Sequence, residues 1–203
     1  MTPPEIVVWD IGNVLLNWEP EHLYRQLIPD DAARAAFFGR LPLDQMNDEG
    51  DRLGDLEGKV AALAERYPED AMLILPWWAA WERMCGGLLA ESVALRDRLR
   101  ANGVACWALT NFADDSWVRA VKLYPALGEF DGLVVSGREK VMKPDPAIYE
   151  IVEARTGRPG ETLFFIDDRD ANIEAARDRG WRGHVFESPA GLKAALAAEG
   201  LRV

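Results

Sequence analysis

Four places along the chain set polar residues where an apolar run stops. Asp10 follows Ile6-Val7-Val8-Trp9, Thr110-Asn111 follows Val104–Leu109, Lys143 precedes Pro144, and Asp167-Asp168 follows Leu163-Phe164-Phe165-Ile166. Taken singly, each has an ordinary structural reading: a strand-end Asp or a Thr-Asn pair caps a turn or helix, and a lysine before proline decorates a surface. The paired acids resist that reading. Two adjacent carboxylates behind large apolar residues repel each other and lose hydration, an arrangement eased by a neutralising cation. Oxygen-only ligands select a hard ion, and Mg²⁺ suits an incomplete protein shell with places left for water and phosphate.

Bringing these groups together requires an α/β fold. Residues 5–9, apolar from Ile6 and with β-branched members, are too short for a helix and suit a strand buried on both faces. From residue 90 onward the pattern alternates. Helix Glu91–Ala101 ends at Asn102-Gly103, strand Val104–Leu109 follows, then helix Asp114–Tyr124 and strand Leu133–Val135. Helix Pro146–Thr156 has Asp145 as N-cap and Gly157 past its end. Strand Thr162–Ile166, helix Asp170–Arg179 closed by Gly180, strand His184–Phe186 and a final helix capped by Ser188-Pro189 complete the series. This spacing predicts a Rossmann-like, mostly parallel sheet covered by helices on both faces, where ligands bind beyond the carboxyl ends of the strands. Asp10, Thr110-Asn111 and Asp167-Asp168 all fall at such ends. Residues 17–88 differ: helical spacing recurs in Glu57–Tyr67 and Asp70–Cys85 without a comparable strand run. The expected division is a core of residues 1–16 and 89–203 with a helical cap inserted over residues 17–88.

Composition narrows the field. The 203 residues are 49% hydrophobic, enough for a full core, and 23 basic against 34 acidic residues give a net charge of -11. No Lys/Arg stripe runs along this sequence, so nucleic acid is not an expected partner. No run reaches ~18 apolar residues, and Met1–Glu5 lacks the basic start and apolar core of a signal peptide. The expectation is a cytoplasmic protein with no membrane association. Cys85 and Cys106, far apart and beside bulky apolar residues, are expected as buried free thiols rather than a disulfide or zinc site.

The motifs together resemble the haloacid dehalogenase-like hydrolase superfamily, over essentially the whole chain. The first motif is matched by Asp10-Ile11-Gly12-Asn13-Val14-Leu15, the second by Leu109-Thr110-Asn111, and the third by Lys143-Pro144-Asp145-Pro146 with Ile148-Tyr149. Phe165-Ile166-Asp167-Asp168 through Asn172 match the fourth. The resemblance implies a hydrolase with Asp10 as nucleophile, forming an aspartyl phosphate in the family's phosphatases. It implies Mg²⁺ held by Asp10, the Gly12 carbonyl, Asp167 and Asp168, with Asp168 the preferred direct ligand. The Thr110 hydroxyl, the Asn111 backbone N–H and the Lys143 ammonium would hold the phosphoryl group of a small phosphorylated substrate, a sugar phosphate first.

One departure stands out. The family's phosphatases usually carry a second Asp two residues after the nucleophile as general acid and base, and here that residue is Gly12. Glu19, shortly after the first motif, is one candidate substitute acid, against the favoured plain reading of a solvent-exposed Glu beside Trp18 and Pro20. Without any such acid the enzyme is slow, or its leaving group needs little help. Within the expected cap, Trp77 and Trp81 of Pro76-Trp77-Trp78-Ala79-Ala80-Trp81 read as one helix face packing the cap core, with a sugar platform as the alternative. Arg40 and Arg83 are candidate contacts for an anionic substrate. Two other functions compete: a metal-free haloacid dehalogenase, disfavoured by Asp167-Asp168 and by the absence of an aromatic residue at position 12, and a regulatory protein on a decayed fold, disfavoured by retention of the other motif residues.

Overall fold

A computed structural model gives the structure of residues 2–203. The chain opens with β1 (Ile6–Trp9), all four residues buried, and β2 (Leu16–Trp18). Six helices follow: α1 (Glu21–Leu27), α2 (Asp31–Arg40), α3 (Leu43–Leu53), α4 (Leu56–Arg66), α5 (Ala71–Ile74) and α6 (Pro76–Ala79). A 3-10 turn at Trp81–Met84 leads into β3 (Cys85–Leu88). Helices and strands then alternate through α7 (Ala90–Ala101), β4 (Ala105–Thr110), α8 (Asp114–Leu123), β5 (Gly132–Val135) and α9 (Ser136–Glu139). The chain closes with α10 (Pro146–Thr156), β6 (Leu163–Asp167), α11 (Asp170–Asp178), β7 (Arg182–Val185) and α12 (Pro189–Ala198).

Five strands form one parallel sheet in the order β5-β4-β1-β6-β7. Successive strand residues point to opposite faces. Ile6 and Val8 therefore join Ile148, Tyr149 and Val152 of α10 and Ile173 of α11 on one side, while Val7 and Trp9 join the cluster that contains Leu95, Leu99, Trp117 and Leu192 on the other. Burial on both faces is why these strands read as unbroken apolar runs. The order reverses between β1 and β6, since the chain first builds outward through β4 and β5 and then crosses back. That crevice is where open α/β sheets bind ligands.

The expected punctuation is present. The Asp145 carboxylate accepts from the Ala147 N–H at 2.9 Å, and the Ser188 hydroxyl accepts from the Gly191 N–H at 3.2 Å, each with proline opening the helix. Gly157 takes φ +63° at the end of α10, the left-handed turn that glycine adopts most freely.

Three details differ from the sequence expectation. The stretch Asp70–Cys85 is not one helix: Pro76 opens a new turn, and α5, α6 and the 3-10 turn are separate pieces. Trp77 and Trp81 thus lie on different elements, although both are buried. Strands β2 and β3 also stand at the two ends of the helical stretch as an antiparallel pair, Leu16 opposite Leu88. Cys85-Gly86-Gly87 carries no β-branched signal, and a Cβ on Gly86 would sit 2.8 Å from Asn17 Nδ2 and His22 Nε2, so a larger residue there displaces those side-chain ends. The last strand starts at Arg182, ahead of the expected His184.

The helical insertion has no core of its own. One hydrophobic cluster runs from Tyr24 and Phe37 through Trp77 and Trp81 to the sheet, bridged by edge contacts of Trp81 on Phe112 (5.9 Å) and Phe112 on Trp117 (5.5 Å).

Candidate active site

Asp10 leaves β1 at the sheet's reversal point. Its N–H donates to the Ile166 carbonyl at 2.9 Å, so the backbone still follows β6 as the side chain enters the crevice. Asp10 Oδ1 accepts from the Ile11 N–H at 2.7 Å and lies 2.8 Å from Lys143 Nζ; Oδ2 has no donor among the described residues. One oxygen is thereby fixed and the other left for chemistry. Asn13 at φ +53° turns the chain away, a conformation asparagine tolerates better than most side chains. Its Oδ1 accepts from the Trp18 N–H at 3.0 Å.

Lys143 is 2% exposed and bridges two acids, with Nζ 2.8 Å from Asp10 and 2.7 Å from Asp167 Oδ2. Asn111 clamps its backbone: Asn111 Nδ2 donates to the Lys143 carbonyl at 3.0 Å, and the Lys143 N–H donates to Asn111 Oδ1 at 2.9 Å. The Asn111 side chain is thus engaged within the protein, leaving its backbone to meet a ligand. Asp167 is fully buried and saturated. Its oxygens accept from Lys143, from the Arg169 N–H at 2.8 Å and from Asn172 Nδ2 at 2.9 and 3.0 Å. Asn172 is fixed in turn by the Tyr149 hydroxyl, which donates to its carbonyl at 2.9 Å. Thr110 ends β4, opposite Val135, at 1% exposure; it is beneath the cavity wall rather than on it.

Burial raises the Asp10 carboxyl to about 7 against the pull of Lys143, and Asp167 and Asp168 add to the rise. The Asp168 carboxyl is raised too, by burial first and then by Asp167. Burial alone would depress the Lys143 ammonium, but Asp10 and Asp167 outweigh it and hold it above its ordinary value. Three carboxylates against one ammonium leave two negative charges in excess when all are ionised. Asp10, Asp167 and Asp168 can each present an oxygen within 4.8 Å of the others. The donor set is all oxygen and the excess charge matches a divalent ion, so these residues fit a hard cation such as Mg²⁺. Asp168, half-buried and less engaged than Asp167, is the freer of the two carboxylates to meet such a cation.

These groups open onto a cavity of about 120 Å³. Asp10, Gly12, Asn111, Lys143 and Asp168 line it from the sheet side, and Trp18, Trp81 and Phe112 supply aromatic walls. A Cβ on Gly12 would meet nothing within 4 Å, so no steric demand excludes a side chain there. The insertion contributes Asn47, Asp48 and Asp51 from α3. Sequence reasoning misses these three, as well as Arg169, Trp18 and Ser116. The signal for the α3 residues is a polar helix face at i and i+4, the same signal that a solvated helix gives. Glu19 is exposed, accepts from the Glu21 N–H at 3.4 Å at the start of α1, and is not on the cavity wall. Arg40 pairs with Asp70, and Arg83 bonds Gln26, both away from the cavity. Trp77 packs in the insertion, its Nε1 donating to Asn47 Oδ1 at 3.2 Å, while Trp81 both packs and lines the cavity. Cys85 and Cys106 are free thiols, each pushed up to about 12 by burial. No helix among the described residues is long and apolar enough to cross a membrane.

Known proteins resemble this arrangement. The chain is 26% identical over 187 residues to the sesquiterpene phosphatase astK of Aspergillus oryzae, covering 89% of each protein. Among solved structures, a HAD family enzyme from Bacteroides thetaiotaomicron in complex with magnesium and inorganic phosphate superposes with a TM-score of 0.69 at 20% identity, over 91% of this chain and 94% of that one. The L-2-haloacid dehalogenase of Xanthobacter autotrophicus, with chloropropionic acid covalently bound, superposes with a TM-score of 0.65 at 18% identity, over 100% of this chain and 85% of that one. These two likenesses speak to the fold. Residues 4–180 match the family model for a haloacid dehalogenase-like hydrolase. With that match spanning Asp10, Lys143 and the paired acids just described, the chain belongs to the haloacid dehalogenase-like hydrolase family.

Proposed function

We propose that this hydrolase is a Mg²⁺-dependent phosphatase of small phosphomonoesters, with sugar phosphates the leading class, and that residues 17–88 form the cap that encloses its substrate. The observation that carries this reading is the set of three converging carboxylates with Lys143 between two of them, at the crevice where β1 and β6 part. Asp10 attacks phosphorus and becomes the aspartyl phosphate that water hydrolyses. Asp10, Asp168, Asp167 and the Gly12 carbonyl would hold Mg²⁺, which supplies positive charge against the repulsion between a phosphate dianion and the acidic site. Lys143 adds charge from the protein itself and the Asn111 N–H completes the phosphoryl cradle, with Thr110 behind it at the end of β4.

The cavity supports a small polar leaving group. At about 120 Å³ it falls below the ~300 Å³ at which pockets for drug-sized ligands begin. That size does not suit a long terpenyl chain with the cap as placed, and α3 presents amide and carboxyl groups rather than hydrocarbon. Dehalogenation is the second reading, because a haloacid dehalogenase shares the fold. Against it stand the paired acids and the absence of a cap arginine from the cavity wall among the described residues.

Purified protein with Mg²⁺ is expected to release phosphate from p-nitrophenyl phosphate and from members of a sugar phosphate panel, and Asp10→Asn to abolish that release. Full turnover by Asp10→Asn sinks the nucleophile assignment. Halide release from 2-chloropropionate without metal, and no phosphate release with it, would replace the phosphatase reading by the dehalogenase one.

A further inference from the structure

An alcohol that leaves phosphorus as an alkoxide needs a proton, and the residues around the nucleophile do not provide one. Gly12 has no side chain, Glu19 is off the cavity, and Asp167 accepts hydrogen bonds at both oxygens. Besides Asp168, which is set among the acids that would hold the cation, two further carboxyls share the cavity wall with Asp10, both carried by α3: Asp48 and Asp51. Burial raises the Asp48 carboxyl, but Arg169 faces it and pulls the other way.

Asp51 is different in kind. Its Oδ1 accepts from the Ala113 N–H at 2.9 Å and its Oδ2 from Asn47 Nδ2 at 2.9 Å. Asn47 is locked in that orientation because its own oxygen accepts from Trp77 Nε1. The main chain is pinned as well, with Ser136 Oγ donating to the Asp51 carbonyl at 2.7 Å. The polar groups bonded to the Asp51 carboxyl are therefore both donors, and a proton on it is left to the cavity. Among the described residues no cation is ion-paired with it, and the Lys143 ammonium on the same cavity wall is held between Asp10 and Asp167. On α3 it faces Asp48, and on α8 Asp115; Arg138 is paired with Asp114, Lys140 is bonded to the Leu53 and Gly137 carbonyls, and Arg169 stands by Asp48. Burial first, then Asp48 and Asp115, push the carboxyl up to about 8 despite the Ala113 and Asn47 bonds. The residue is half-buried, on the wall of the cavity.

We propose that Asp51, delivered by the cap helix α3, is the catalytic acid of this site and takes the role that Gly12 leaves vacant. The proposal rests on the phosphatase reading. As an Asp10 oxygen bonds to phosphorus, the phosphorus–oxygen bond to the alcohol breaks. The leaving oxygen keeps the bond pair and takes the Asp51 proton, departing as neutral alcohol. Asp51, now a carboxylate, takes a proton from water as the water oxygen bonds to phosphorus and the Asp10–phosphorus bond breaks. Phosphate leaves, Asp10 is again a carboxylate and Asp51 again an acid.

Two esters separate this role from a structural one: phenyl phosphate, whose leaving group needs protonation, and p-nitrophenyl phosphate, whose leaving group does not. Asp51→Asn keeps the size and the oxygen that accepts from Ala113 but is no proton source. With Mg²⁺, this variant is expected to lose about 10²-fold or more in the single-turnover release of phenol from phenyl phosphate, while the first-turnover release of p-nitrophenol, which precedes the water step, stays close to wild type. The wild-type rate on phenyl phosphate falls as pH rises past about 8, and that limb is absent in Asp51→Asn. Adding Gly12→Asp to Asp51→Asn, which the open space at residue 12 permits, restores phenyl phosphate turnover. Equal losses in the first-turnover release of phenol and of p-nitrophenol, or no loss in the release of phenol, overturn the proposal and leave the phosphatase reading standing. Wild-type protein inactive on both esters overturns that reading, and the proposal with it.

Discussion

Lys143 carries the heaviest electrostatic duty of any single residue at the site. Its ammonium lies within 2.8 Å of two carboxylates and is almost without solvent contact, so water does not compensate if it is removed. In Lys143→Met the buried Asp10 and Asp167 face each other unpaired, and Asp10, already raised to about 7, takes up a proton and loses the charge that its proposed role as nucleophile needs. Breaking a buried pair by deleting one partner costs about 3–5 kcal/mol. Losing a charge aimed at the reacting group costs on the order of 10²–10³ in turnover. The expected result is a lowered Tm together with at least that loss of Mg²⁺-dependent phosphate release. A Lys143→Met protein as stable and active as wild type would show that the pairing has neither role. Lys143 and the three acids are legible in the sequence because each sits where an apolar run stops. Asp51 is not. It lies in Leu43–Leu53 among Asp44, Asp48 and Glu49, and only the fold decides which of these acids is turned inward.

At the scale of elements, the acidic wall over the cavity depends on how α3 meets α9. The two approach backbone to backbone: a Cβ on Gly137 would lie 2.8 Å from the Gly54 Cα and from the Phe112 carbonyl oxygen. Gly54 ends α3 at φ +76°, and the Lys140 ammonium ties the seam by donating to the Leu53 carbonyl at 2.5 Å and the Gly137 carbonyl at 2.7 Å. A methyl group at position 137 therefore pushes α3 away from the loop after β4 and draws Asp51 off the Ala113 N–H. Overpacking of this kind costs about 1–3 kcal/mol. Gly137→Ala is expected to lower Tm accordingly and to slow the first-turnover release of phenol from phenyl phosphate more than that of p-nitrophenol from its ester. Gly39→Ala in α2, where a Cβ meets nothing within 4 Å, is the control, and gains up to about 0.5–1 kcal/mol from helix propensity. Equal Tm values for the two variants would mean that the seam yields without cost. The elements themselves are legible where proline and glycine mark their ends, as in Pro146 to Gly157. The β2–β3 pair is not, because Leu16 and Leu88 stand far apart in sequence and one strand is Gly-rich.

For the whole molecule, the alternation of strand and helix announces the sheet, since strands buried on both faces leave an unbroken apolar run. The single hydrophobic cluster joining insertion and sheet is not foreseeable, because it is built from Trp81, Phe112 and Trp117, which no local period connects. The balance of charge, by contrast, is already visible in a net -11. An acidic chain that gathers three carboxylates within 4.8 Å stores repulsion in its native state, and a cation that binds only that state relieves it. Binding at one hundred times Kd is worth about 2.7 kcal/mol. Protons act on the same balance with a definite sign. Asp51 has its carboxyl at about 8 in the folded protein against 3.8 in the unfolded chain, so between those values the native state holds a proton that the unfolded state has lost. Stability therefore falls as pH rises from about 4 through 8, the reverse of a salt-bridged carboxylate, and Asp10 at about 7 works in the same direction when no cation is bound. Thermal melts in EDTA are expected to give the highest Tm in mild acid and a steady fall toward about pH 8, shallower in Asp51→Asn. At neutral pH, Mg²⁺ raises Tm in wild type and in Asp51→Asn but not in Asp168→Asn, which lacks a ligand and one negative charge. A wild-type Tm indifferent to Mg²⁺ would remove the cation from the acidic cluster, and an Asp51→Asn protein whose Tm falls as steeply as wild type would show that Asp51 is ionised at neutral pH.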